Sequence, residues 1–337
     1  MATTQKYSTN TEEQMAAFYS MRLLTAAVAN FPHAHVAQLA GTPKETIPDQ
    51  HGDVVNWRKF SELDAATTPL LEDETPAPVS ISVDDLTATV AEYGSYIRYG
   101  RMLMKKAIDK HKVVYTETLG RQVGKTIDTL TRDVAVATTN IVYPTGRSGR
   151  TDILSTDVLS AYLVRKAIRE LRAADAEPIE GDRFIGIIHP NVYFDFIQDS
   201  SIMNAMLQVL EPGEGNPLIA GYLGTVLGVD WYQSTNAKVY TSGGYGSVDV
   251  YATMIFGKDG LGVGGLAGMM PGAITSSQKD PNTGKRMMPV TLYDTPPDTP
   301  SKEDPLHQRG TLGWTTTYVA KILDNDRLVK IEHGATA

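Results

Sequence analysis

The chain has 337 residues, more than one hydrophobic core usually organises, with 42% apolar and 21% charged residues and with 29 Gly and 18 Pro spread along it. Such a composition excludes wholesale disorder and points to two packed subdomains or one elongated multi-part fold. With no Cys there can be no disulfide, thiolate metal site or Cys nucleophile, and a net charge of −8 means that any DNA contact has to come from a local basic surface.

The opening MATTQKYSTNTEEQ lacks a basic stretch followed by an apolar one, and no run of about 18 apolar residues occurs, so a soluble chain without a standard secretion signal or a membrane partner is expected. Residues 1–51 read as an arm. A short amphipathic helix near Thr11–Ala29 carries Met15, Phe18, Tyr19, Leu23 and Val28 on its apolar side, with Thr11 and Gln14 at capping-box spacing, and the tract through Pro32, Gly41, Pro43 and Pro48 follows. Residues 52–100 read as a long hairpin: Val54–Phe60 is an extended run, and Val79, Ile81 and Val83 alternate with Ser80 and Ser82 at the period of a strand. The intervening DAATTPLLEDETPAP is acidic yet carries Leu70 and Leu71 near its tip. These leucines make either a satellite contact within the chain or a contact with another molecule.

Residues 102–139 give the strongest helix signal. Ile108, Tyr115, Leu119, Val123, Ile127, Leu130 and Val134 form one apolar stripe, with Lys110, Glu117, Arg121, Lys125, Asp128 and Arg132 on the opposite, solvated face. A turn at Pro144–Arg150 leads to a second helix, Asp157–Ala173, a buried strand, Phe184–Ile188, and a helix over Asn191–Gln198. Further strands are predicted at Val229–Gln233, Val248–Phe256, Thr315–Leu323 and Leu328–Glu332. Helices and strands mix without a βαβ rhythm, which makes the fold class α+β.

The chemical motifs are weak. GRQVGKT at Gly120–Thr126 has three residues between its glycines where a phosphate-binding loop needs four, and it lies inside the long helix, so close packing of another element is the reading for Gly120 and Gly124. GLGVGG at Gly260–Gly265 fits GxGxxG, but Pro271 and further glycines stand where the helix should begin, leaving a Gly-rich turn. His33 and His35 lack a third ligand nearby, and His189 at the end of an apolar strand is the kind of histidine that hydrogen-bonds structurally. No cofactor, metal or catalytic residue is assigned.

Several segments in one order resemble the N4-type major capsid proteins of tailed bacteriophages. They are GDVVNWRKFSELDAATTPLLEDETP, its return VDDLTATVAEYGSYIRYG, the helix LGRQVGKTIDTLTRDVAVATTN, the strand-helix FIGIIHPNVYFDFIQD, then LGVDWYQSTNA, VYATMIFGKDGLG and the closing DPLHQRGTLGWTTTYVAKILDNDRLVKIEHGA. Asp73 with Glu74, and Thr315 after the late Trp, depart from that family's pattern.

The resemblance implies an HK97-like fold: an N-terminal arm (1–51), an extended E-loop hairpin (52–100), a peripheral domain with a long spine helix (101–181), an axial domain (182–265) and a return to the peripheral domain (266–337). It implies a structural, non-enzymatic subunit that self-assembles into hexamers and pentamers of an icosahedral shell. The partners implied are copies of itself, scaffolding, portal and decoration proteins, and packaged double-stranded DNA touched non-specifically at the inner surface. Assembly would take place in the host cytoplasm and the product would be the virion. An encapsulin-type nanocompartment shell is the alternative with the same fold. On either reading Trp57, Lys59, Phe60, Leu70 and Leu71 of the hairpin are the assembly-interface candidates. Lys59 is read as a solubilising charge in preference to a crosslinking one.

Overall fold

The computed structural model of the chain describes residues 44–47, 51–61, 63–67, 69, 77–106, 111–179, 181–199, 222–266, 290–297 and 304–336. The arm helix, His33, His35, Leu70, Leu71, Ile108 and Lys110 lie outside them. In chain order the elements are β1 (Lys44–Ile47), β2 (Val54–Phe60), β3 (Val83–Thr89), β4 (Ala91–Gly100), α1 (Arg101–Lys106), α2 (His111–Val136), β5 (Ile141–Val142), α3 (Ala161–Ala173), β6 (Phe184–Ile188), α4 (Pro190–Gln198), β7 (Tyr222–Val226), β8 (Val229–Gln233), β9 (Val239–Tyr240), β10 (Val250–Phe256), β11 (Leu261–Leu266), β12 (Val290–Thr295), β13 (Arg309–Ile322) and β14 (Leu328–His333).

They form three sheets. The first is built around β13, which pairs antiparallel with β4 from Arg309↔Gly100 to Tyr318↔Ala91, with β12 from Thr311↔Thr295 to Thr316↔Val290, and further along with β11; β1 adds parallel to β11. The second runs β5-β14-β10-β6-β8-β7, with β9 also on β10. The third is the hairpin pair β2–β3.

Helix α2 joins the two larger sheets. Its 26 residues, about 39 Å at 1.5 Å per residue, place Leu119, Val123 and Ile127 against Tyr99, Leu312, Trp314 and Tyr318 of the first sheet. Alternation explains the match, since Leu312, Trp314, Thr316 and Tyr318 share one face of β13. Polar contacts fix the register: Trp314 Nε1 donates to Gln122 Oε1 at 3.2 Å, and the Thr131 hydroxyl, itself donating to the Ile127 carbonyl, lies 2.6 Å from the Tyr318 hydroxyl. Ala135 and Val136 at the end of α2 then pack under the second sheet with Ile185, Ile187, Met254 and Leu328. Helices α3 and α4 cover that sheet's other face through Val164, Ile168, Leu171, Val192 and Phe196.

Four sequence expectations need correction. Asp128, placed on the solvated face of the helix, is fully buried and accepts from Asn236 Nδ2, while Arg132 donates to the Asn236 carbonyl at 2.8 Å; the β8–β9 connection covers a face that helical periodicity alone leaves open. The second helix begins at Ala161, because the Asp157 carboxylate is taken by Arg147 and the Leu154 N–H. Gly260–Gly265 is no free turn: β11 occupies most of it, and a Cβ on Gly262 would lie 2.9 Å from Trp57 Cε2 and 2.8 Å from Leu323 Cδ2, so only glycine lets these side chains close over the strand. The paired part of the returning hairpin strand starts at Val83, after the Val79–Val83 alternation.

A buried charge cluster ties β14 to the turn before α3. Arg150 grips both oxygens of Glu332, whose side chain is 0% exposed, with Nε–Oε2 at 3.0 Å and Nη2–Oε1 at 2.6 Å. Lys330 Nζ adds a 3.0 Å contact to Oε1 and donates to the Val136 carbonyl at 2.9 Å, and the Arg150 guanidinium stacks 3.4 Å above the Tyr240 ring. Next in line, His333 is fully buried. Its Nδ1 donates to the Gly334 carbonyl at 2.8 Å and its Nε2 lies 2.8 Å from the Thr253 hydroxyl, so burial holds the imidazole neutral with a pKa pushed down to about 4.

Candidate assembly surface

The hairpin has a root buried in its own chain and arms with an exposed outer face. In β2, Val55 and Trp57 point inward and pack with Ile47, Val90, Leu266, Val319 and Leu323. Trp57 is 3% exposed and seated over Gly262, so it anchors the hairpin inside the subunit and is not available to a neighbouring molecule. Lys59 shares that inner face. Its Nζ lies 2.7 Å from Asp324 Oδ2 in the connection between β13 and β14, while Lys321 Nζ donates to the Thr87 carbonyl at 2.6 Å. Burial pushes the Asp324 carboxyl up, but hydrogen bonds from Lys59 and the Asp326 N–H, with Arg327 nearby, outweigh it and hold the group below the usual carboxylate range. Lys59 is thus half-exposed and ion-paired within its own chain.

The outward face is different in kind. Phe60 and Val83 are directly paired across β2–β3 and are 63% and 46% exposed. Arg58 and Asp85 form the next pair on this face, with Asn56 and Thr87, then Val54 and Thr89, following toward the root. Beyond Phe60, Leu63, Val79 and Ile81 are exposed as well. Cross-strand neighbours sit about 5 Å apart, so Phe60 and Val83 make one apolar step, continued up both arms by side chains that nothing described in the chain covers. The sequence singles out Phe60 and misses Val83. The signal lay in the period of two, which puts Val55 and Trp57 on one face and Val54, Arg58 and Phe60 on the other.

The motif residues that the structure describes have packing and capping places. Gly120 and Gly124 are buried inside α2, whose backbone N–H groups are spent on the helix, and Lys125 is exposed. His189 caps α4 by accepting from the Asn191 N–H at 3.2 Å, and burial lowers its pKa. Among the described residues no group of three or more His, Asp or Glu is arranged to hold a metal, and no helix is long and apolar enough to cross a membrane.

Two sheets bridged by a long helix, with a hairpin standing off one of them, match solved phage shells, and the fold is HK97-like. The chain is similar to the capsid of Ralstonia phage GP4 at 15% identity, with a TM-score of 0.67 over 88% of this chain and 87% of that one. Its likeness to the cyanophage Pam1 capsid has a TM-score of 0.59 at 17% identity, over 86% and 87%. The holo-SrpI encapsulin complex from Synechococcus elongatus gives 0.50 at 8%, over 82% and 94%. No curated protein matches the chain. Residues 83–331, most of its length, match the phage capsid protein family, and the chain belongs to that family.

Proposed function

We propose that the chain is a major capsid protein of the N4 type, whose copies form the hexamers and pentamers of an icosahedral shell around double-stranded phage DNA. The observation that carries this reading is the outward apolar step of Phe60 and Val83, raised on a hairpin whose root is locked by Trp57 and Lys59. An exposed apolar arm on a rigid base has a use only when another molecule covers it. The expected hairpin, residues 52–100, then acts as the E-loop, its last strand β4 also pairing with β13, and α2 acts as the spine helix. The first sheet would form the peripheral unit and the second the axial one, which draws β14, expected in the peripheral return, into the axial unit through its pairing with β10. The arm at 1–51 would join the hairpin in tying neighbours together.

The subunit's work is association, not catalysis. Interfaces of a standard size, about 1,600 Å², become strong through closure of a symmetric shell. Assembly would run in the host cytoplasm with scaffolding, portal and decoration proteins as further partners, and the product is the virion. An encapsulin-type compartment is the second reading, favoured only by the fold-level likeness at a TM-score of 0.50.

The test removes the hairpin tip, Ala65 to Pro76, and bridges it with a short Gly/Ser turn. Unfolding of the truncated subunit should match the full chain while electron micrographs show no closed shells; normal shells would sink the proposal. Native particles that hold enzyme cargo and no DNA would favour the encapsulin reading.

A further inference from the structure

A second surface carries charge in an ordered way. Helix α3 buries Leu163, Val164, Ala167, Ile168 and Leu171 on the second sheet and turns Tyr162, Arg165, Arg169 and Arg172 outward. Steps of three, four and three residues keep these four on one stripe, about 15 Å long at 1.5 Å per residue. In a chain of net charge −8, this 13-residue helix holds four cations, Arg165, Lys166, Arg169 and Arg172, against the lone carboxylate of Glu170.

Neighbouring groups compensate the stripe only in part. Arg169 bonds Glu170 beside it, Arg172 lies 3.9 Å from an exposed Asp182, and Lys166 leans back to the Tyr143 carbonyl. Arg165 has no ion pair among the described residues. From α4, packed on the same sheet face, Asp195 is buried and held by Thr336, and Asp199 accepts the Ala161 N–H, while the exposed Phe194 brings no charge. Exposed pairs such as Arg169–Glu170 exchange readily for a better anion.

Resting on the capsid reading above, we propose that the outer face of α3 is a contact for the phosphate backbone of double-stranded DNA, and therefore that α3 faces the interior of the shell. From Arg165 to Arg172 the helix rises about 10 Å, a length over which duplex DNA presents about six phosphate charges. Guanidinium forks bind phosphate oxygens in pairs, and a rigid flat stripe with no side chain shaped for a groove reads backbone and not bases. The face is held in place by the apolar side of α3, so it is offered to DNA without a change of fold.

The test measures binding of the full-chain subunit, below its assembly concentration, to a fluorescent random-sequence duplex between about 50 and 200 mM salt. R165Q/R169Q/R172Q should flatten the slope of log affinity against log salt by about 2 to 3, at about 0.9 per phosphate contact, and weaken binding tenfold or more at the low-salt end. R165K/R169K/R172K should keep the slope, and both variants should still close shells. Should the triple variant fail to fold, R165Q alone should lower the slope by about 1. An unchanged slope overturns the proposal. So does a Gln variant that keeps the slope but no longer forms shells, which would make the stripe a protein contact for an acidic segment such as a second copy's hairpin tip. Particles filled with protein cargo would sink the capsid reading itself, whereas DNA-filled particles whose subunits show an unchanged slope sink only the α3 contact.

Discussion

Glu332→Ala should cost about 3 kcal/mol of subunit stability, the low end of the roughly 3–5 kcal/mol seen when one partner of a buried ion pair is removed. The reason lies in what is left behind. Lys330, whose side chain is 4% exposed, would keep only the Val136 carbonyl as partner. Arg150 is 35% exposed and stays stacked on Tyr240, so it loses less. In a chain of 337 residues such a loss lowers the melting temperature by about 4 °C. Removing both partners, as in Glu332→Met with Lys330→Met, should recover most of it, because apolar replacement of a whole buried pair is close to neutral. Burial raises the Glu332 carboxyl, but hydrogen bonds from Arg150 and Lys330 outweigh it and hold its folded pKa below the ordinary 4.5. The folded state then binds fewer protons than the unfolded one, so the stabilisation is complete above that value and is lost as pH falls through the lower folded pKa. Calorimetric melting of wild type, single and double variants, from neutral pH into the acid limb, checks each step. A single variant that melts with the wild type, or a double variant no better than the single one, refutes the reasoning.

Trp57→Ala should destabilise the subunit by about 3–5 kcal/mol and speed proteolysis of the hairpin, since it empties the root packed over Gly262; Phe60→Ser should leave melting unchanged and stop shell closure, read by sedimentation. Lys125→Ala should cost well under about 1 kcal/mol, with no ATP binding by calorimetry before or after. His333 should resist protonation until about pH 4, against an ordinary 6.5. Its burial therefore costs nothing above the unfolded value and removes up to about 3 kcal/mol as pH falls from 6.5 to 4, a slope that His333→Asn should abolish in pH-dependent melting.

Where one face of an element meets one partner, its residues were readable in advance. The α2 stripe of Leu119, Val123 and Ile127 and the wholly apolar β6 are of this kind. Where two layers cover an element from both sides, periodicity fails, and Asp128 is the result. The expected strand begins at Thr315, whereas β13 begins at Arg309 and includes Gly310 and Gly313. They are small because β4 lies close: a Cβ on Gly310 would stand 2.6 Å from the Tyr99 ring, and one on Gly313 2.9 Å from Tyr96 Cβ. At the hairpin, composition did not tell the buried side of β2 from the exposed one. An aromatic residue near a loop suggests an interface, yet strand alternation sends Trp57 inward and Phe60 out.

The place of β14 bears on how such subunits come to be made. Synthesised after every other strand described, it lies between β5 and β10, pairing Lys330 with Ile141 on one side and Tyr251 to Phe256 with His333 to Leu328 on the other. Until the ribosome has delivered His333, the strand that joins β5 to the rest of the second sheet is missing, and β5 and β10 carry open edges. Such non-local pairing comes late in folding. A nascent chain whose hairpin is already out thus still lacks a finished body behind it, which separates the making of a subunit from its entry into a shell.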